Sequence, residues 1–301
     1  MKLVTFRDGG QFVAVGVVSA DRVVSLRELL GWDVGSDMAE VIGRLSDADL
    51  AHDIATAAQK PGVGVPLGSV QLLAPIRPAR NVFCVGWNYA EHFKEGKEGR
   101  GADAVQQIPE HPALFTKNPD AIVGPDAAVW YPAPYSEQLD WEVELAIVIG
   151  RQGRDIAEAH ALEHIFGYTV ANDVSVRDIQ RTWHGGQWFK GKNFDSHLPL
   201  GPWIVTADEI PDPQSLRLTS RVNGVTKQDS NTRNMVFDIP RIIRELSAGM
   251  TLQPGDVIIT GTPEGVGMGR TPPEWLKPGD VMELEIERIG ILRNTVRERS
   301  E

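Results

Sequence analysis

The stretch Leu139-Asp140-Trp141-Glu142-Val143-Glu144-Leu145-Ala146-Ile147-Val148-Ile149-Gly150 decides the fold class. From Leu145 onward it is an unbroken apolar run closed by glycine, the pattern of a strand covered on both faces. Successive side chains of a strand point to opposite faces, so Glu142 and Glu144 share one face while Val143 turns away. Two like charges held side by side next to a dry core repel each other and lose hydration, a cost that a bound cation removes. A solvated strand end is the other reading of the same pair. The chain supplies a contrast in Glu283-Leu284-Glu285-Ile286-Glu287, where single apolar residues alternate with acids and no long apolar run follows. That pattern is an ordinary half-exposed strand with its charges in water.

Outward from this stretch the chain reads as mixed and mostly β. Residues 1–70 look like a small α+β domain: short strands over 3–6, 12–18 and 23–25, then a helix with apolar positions Val41, Ile42, Leu45, Leu50 and Ile54 over 38–58. The Pro- and Gly-rich segment 61–66 is the expected linker, and 71–301 the larger, strand-rich domain. Within it, 81–86 reads as a buried strand and 87–95 as the start of a helix. Residues 96–107, rich in Gly and charge, form either a functional loop or a plain surface excursion. Another buried strand over 166–171 ends at Asn172-Asp173. Ser175-Val176-Arg177-Asp178 has the spacing of a capping box opening a short helix. Asn223-Gly224 marks a hairpin, Asp238 caps a helix over 238–250, and strands close the chain at 257–260 and 281–286.

At 301 residues the chain can bury one large core or a main domain with a small companion. A formal net charge of −11, with no Lys/Arg cluster interleaved with aromatics, argues against a nucleic-acid surface. An acidic chain that handles an anion has to supply positive charge locally, from a divalent metal backed by Lys or Arg. No apolar run approaches the roughly 20 residues of a membrane helix. The start of the chain turns polar at Arg7-Asp8, too soon for a signal-peptide apolar region. A single cysteine, Cys84, excludes an internal disulfide and suits a reducing compartment, so the expected location is cytoplasmic.

Several groups carry potential chemistry. Hard cations prefer carboxylate oxygens and keep water or substrate in their remaining positions, and Asp173 at a strand end is the natural third ligand beside Glu142 and Glu144. With no matching Cys or His cluster, magnesium, manganese or calcium is favoured over zinc. His92 and Glu95 lie three apart, hence on one helix face, where a carboxylate can orient an imidazole as general base. Lys192, in an aromatic-rich surrounding with Trp188, Phe189 and Phe194, reads as partly buried and in need of an anion, which a substrate enolate or carboxylate would supply. Arg177 and Gln180, a turn apart, could hold a substrate oxygen, as could Thr262 in the loop 260–267. For each of these a plain salt bridge, cap or hydrogen bond is the alternative. Cys84 reads as a small hydrophobe, and His111, His160, His164, His184 and His197 show no ligand spacing.

Taken together, Asn88-Tyr89 with His92 and Glu95, Asp140-Trp141-Glu142-Val143-Glu144, the run 172–180, Gly191-Lys192-Asn193-Phe194-Asp195 and the loop 260–267 resemble, in order, the fumarylacetoacetate hydrolase family over residues 70–296. The resemblance implies a β-sandwich or β-roll catalytic domain, usually homodimeric, with magnesium or manganese on Glu142, Glu144 and Asp173. It further implies a His92–Glu95 catalytic dyad beside a mobile lid, Lys192 as active-site lysine, and Arg177 and Gln180 as substrate contacts. The chain departs from the pattern at Ser196-His197, where many relatives carry a threonine. Family members act on small 2-oxo acids and 1,3-diketones. The expected reaction is hydrolysis of a C–C bond in an acylpyruvate, with water activated by His92 and the enolate stabilised by metal and Lys192. Oxaloacetate decarboxylation, and hydration or isomerisation of an unsaturated 2-oxo acid of aromatic catabolism, are reachable from the same site. A non-catalytic metal-binding relative is the reading from a different class.

Overall fold

The structure, a computed structural model, describes residues 1–10, 12–31, 37–45, 48–60, 62–95 and 107–299. The loop expected over 96–107 lies, apart from Gln107, outside the described residues.

Val143–Ile149 is buried at every position and runs through the middle of a twelve-stranded mixed sheet. Its alternation explains the unbroken apolar run. Leu145, Ile147 and Ile149 pack into one core with Leu218, Leu284 and Leu292 of a second, five-stranded sheet. Ala146 and Val148 pack into another with Val41, Ile42 and Ile54 of N-terminal helices. Both faces are therefore dry, and each large apolar side chain buried there contributes about 1.5–3 kcal/mol. The two sheets packed through a shared core make the mixed, mostly β sandwich expected.

Ile165–Asn172 and Val257–Ile259 flank the central strand, and Val82–Gly86 lies parallel to the latter, with Ala113–Lys117 at the edge. On the other side Leu198–Thr206 leads to Lys2–Arg7, Val13–Ser19 and Arg22–Ser25. The three N-terminal strands form as expected, and the pairing of Lys2 with Val205 and Leu3 with Ile204 makes them an extension of the large sheet. The contrast strand, Val281–Ile286, alternates buried and half-exposed positions as its sequence predicts.

The Asn223-Gly224 hairpin forms with both residues at positive φ, 51° and 76°, the turn that suits strand twist. Asp238 caps Ile239–Ser247 by accepting from the Arg241 N–H. Two local expectations fail. The helix over 38–58 is two helices, Met38–Arg44 and Ala48–Ala58, the first closed by the Leu45 N–H on the Val41 carbonyl. Between them the sequence reads Ser46-Asp47, residue types that compete with helix for backbone hydrogen bonds. The capping box over 175–178 does not form either. Ser175 is a buried strand residue opposite Asp140, its hydroxyl donates to the Asp173 carbonyl, and Asp178 accepts from Ser136 instead.

Candidate active site

The central strand places Glu142 and Glu144 on one face. The register that sets Val143 opposite Asn172 brings Asp173 alongside. Backbone bonds fix the junction: the Glu142 N–H donates to Asn172 Oδ1 at 3.0 Å, and the Asp173 N–H donates to the Glu142 carbonyl at 3.0 Å. One carboxylate oxygen from each of Glu142, Glu144 and Asp173 falls within 4.8 Å of the others, all three residues are buried, and no comparable His, Cys, Asp or Glu group occurs elsewhere among the described residues. The solvated-strand-end reading is therefore excluded.

The acids also have basic partners, a point the sequence leaves open. Lys192 Nζ lies 2.7 Å from Glu142 and 2.6 Å from Asp173. Arg177 pairs with Asp140 at 2.7 Å and Glu142 at 2.6 Å. Lys117, wholly buried, donates to Asp173 at 2.6 Å and to the Val174 carbonyl at 3.1 Å. The anion that buried Lys192 requires is thus already supplied by the acidic cluster, and a substrate anion would be an addition to it. Burial opposes the charge on Glu142, but Arg177 and Lys192 outweigh it and hold its carboxyl below the usual range. Burial likewise opposes the charge on Lys192, and Asp173 with Glu142 pushes its pKa up.

Glu144 is different. It forms no ion pair among the described residues and accepts only the Gly261 N–H, at 2.6 Å. Burial, followed by the Asp173 and Glu142 carboxylates, pushes its pKa well up. A third carboxylate facing two others without a counter-ion of its own is the arrangement a cation relieves, and an all-oxygen donor set suits magnesium or manganese. The residues present fit such an ion.

Ala90–Glu95 forms the short helix expected, and His92 Nδ1 sits 2.8 Å from Glu95 Oε1. Glu95 Oε2 accepts the Gly265 N–H at 2.9 Å, so the carboxylate is held from both sides. With Nδ1 donating to the Glu95 carboxylate, Nε2 is the ring nitrogen left outside that pair. His92, Glu142, Glu144, Asp173, Arg177, Gln180, Lys192 and Thr262 line one small cavity of about 40 Å³, walled by Trp87, Phe115 and Trp188. Every expected site residue except Glu95 lines it, and Glu95 is bonded to His92. Of the aromatic residues in 183–189, Trp188 reaches this cavity, while Trp183 and Phe189 are exposed. Lys192 packs on Phe115, a ring that sequence reasoning passed over. Cys84 is a buried hydrophobe, and His197 is buried on the Trp130 carbonyl.

Sequence reasoning missed three residues that contact this site. Asp140 accepts four hydrogen bonds, from Trp141, Gly267, Met268 and Arg177, and so anchors the guanidinium. Its place in the stretch that opens the sheet was a usable signal. Lys117 and Gln228 carried none: their partners at this site, Asp173 and Thr262, lie 56 and 34 positions away in the chain.

Fold and site together show two large packed sheets around a buried carboxylate cluster whose oxygens fit a hard cation, beside a His/Glu pair. Residues 81–297 match the family model for the fumarylacetoacetate (FAA) hydrolase C-terminal domain. The chain is 46% identical over 242 residues to the oxaloacetate tautomerase FAHD2A, mitochondrial, of Bos taurus, covering 80% of this chain and 74% of that one. It is 42% identical over 252 residues to the oxaloacetate tautomerase YisK of Bacillus subtilis (strain 168), covering 82% and 81%. Among solved structures, maleylpyruvate hydrolase from Sphingobium sp. SYK-6, in complex with manganese(II) and pyruvate, superposes with a TM-score of 0.79 at 30% identity over the whole of both chains. The chain belongs to the fumarylacetoacetate hydrolase family.

Proposed function

We propose that this protein is a divalent-cation-dependent enzyme that interconverts the keto and enol forms of a small 2-oxo dicarboxylic acid, with oxaloacetate as substrate. The observation that carries the reading is the joint burial of Glu142, Glu144 and Asp173 with Lys192 between two of them and His92 facing the same cavity. Identity above 40% to two oxaloacetate tautomerases supports the choice of reaction.

A magnesium or manganese ion on the three carboxylates would supply Lewis acidity toward a substrate's carboxylate and 2-oxo oxygens. The chain's own groups do the rest. His92 Nε2, its ring oriented by Glu95 at Nδ1, removes a proton from C3 of the keto acid. Negative charge then grows on O2, where the Lys192 ammonium stabilises it and protonation gives the enol. The net change is one proton moved from C3 to O2. Arg177, anchored by Asp140, meets a carboxylate of the substrate, and the aromatic wall excludes water.

Hydrolysis of an acylpyruvate remains the second reading, favoured by the intact His92–Glu95 pair. There the same imidazole deprotonates water for attack on the distal carbonyl. The separating experiment offers the purified protein enol-oxaloacetate, oxaloacetate and acylpyruvates, each with magnesium and with chelator. The proposal expects rapid metal-dependent tautomerisation, lost by at least about a hundred-fold in Glu142→Ala. Acylpyruvate cleavage with no tautomerisation would overturn it in favour of hydrolysis.

A further inference from the structure

Thr262 lines the cavity, and the network behind it fixes what its hydroxyl can do. Gln228, buried on Val225–Asn231, reaches Thr262 from the second sheet. The orientation of its amide is set by partners that have no choice of role. Its Oε1 accepts the Val143 N–H at 3.0 Å, and that donor cannot accept. Its Nε2 donates to the Pro263 carbonyl at 2.9 Å, and that acceptor cannot donate. Ser220 adds a hydroxyl to Oε1 at 3.0 Å. The remaining N–H of Nε2 therefore points at Thr262 Oγ1, 2.8 Å away. Thr262 must accept there, and its own proton has no acceptor among the described residues. A hydroxyl has one proton to give, so that proton is left for the cavity.

We infer that Gln228 is a positioning residue that makes Thr262 an obligatory hydrogen-bond donor to an acceptor-only oxygen of the ligand, a carboxylate. The inference rests on the 2-oxo acid reading above and assigns one of its contacts. A carboxylate gains a charge-assisted bond, whereas a ligand group that can only donate meets a buried proton and is rejected. Because Gln228 also holds the Val143 N–H, at the head of the strand that bears Glu144, the same amide ties the ligand wall to the acidic cluster.

The test measures oxalate and pyruvate binding to the manganese-loaded protein by calorimetry, with manganese affinity measured separately by electron paramagnetic resonance. Variants are Thr262→Val, Thr262→Ser, Gln228→Met and the Gln228→Met/Thr262→Val pair. Thr262→Val should weaken oxalate about ten-fold or more, Thr262→Ser should restore it, and manganese affinity should hold throughout. Gln228→Met should weaken oxalate in the wild-type background and add nothing once Thr262 is valine. An equal loss in both backgrounds, or a Thr262→Val protein that binds oxalate as wild type does, would overturn the inference. The second outcome needs no Gln228 variant to fold. If the wild type binds manganese but neither oxalate nor pyruvate, the 2-oxo acid reading fails instead.

Discussion

Lys117 shows most directly how much electrostatic work the site does at the level of single residues. It is wholly buried, and removing it by Lys117→Met leaves Asp173 with one cationic partner in place of two. Breaking a buried pair from one side typically costs about 3–5 kcal/mol. A divalent cation on the same carboxylate supplies the missing positive charge, so the loss in urea denaturation should be large in chelator and markedly smaller with manganese. An equal loss in both conditions would count against cation binding at Asp173. His197 provides a pH signature away from the cluster. Burial pushes its imidazole down to about 3, against the hydrogen bond to the Trp130 carbonyl, which works in the other direction. Above the ordinary value near 6.5 both folded and unfolded chains are neutral there and stability is unaffected. As pH falls from about 6.5 towards about 3 only the unfolded chain takes up the proton, so stability drops by about 1.4 kcal/mol per pH unit. His197→Gln should remove that part of the slope, and matching slopes for the two proteins between roughly pH 6 and pH 4 would refute the assignment.

Two one-turn elements set the geometry of the cations. Arg177–Thr182 carries Arg177 and Gln180, and Phe189–Lys192 carries Lys192. They touch at Gly191, where a Cβ would lie 2.4 Å from the Gln180 backbone nitrogen and 2.5 Å from its Cα. Neither neighbour is a flexible side-chain end, so the helices must part. Gly191→Ala should cost about 1–3 kcal/mol in stability and depress kcat/KM by displacing Lys192 and Gln180 together. Wild-type turnover and stability in that variant would show that the contact does not position them. The sequence exposed this only in part. Gly191-Lys192 stood out as a motif, but the reason for the glycine is a clash with a residue eleven positions earlier, which no local pattern encodes.

For the molecule as a whole, the N-terminal strands are the telling feature. Lys2–Arg7 pairs along the edge of Leu198–Thr206, and the helices behind it cover Ala146 and Val148. We propose the 1–70 and 71–301 units as a division of sequence whose parts share a sheet. Deleting residues 1–70 should uncover a strand edge and an apolar face, giving a chain that aggregates or melts well below the full protein. A monomeric truncated chain with undiminished melting temperature would show the two parts to be independent. The sequence by itself determined the buried central strand, the paired glutamates, the His92–Glu95 spacing and the hairpin at Asn223-Gly224. Each of these is written in alternation, spacing or turn chemistry within a dozen residues. Only the tertiary structure decided that Lys192 and Arg177 rest on the acids, that Lys117 and Asp140 complete the charge balance, and that Gln228 dictates the proton of Thr262. Those depend on which strands become neighbours, and a buried charge finds its partner through sheet register rather than through proximity in the chain.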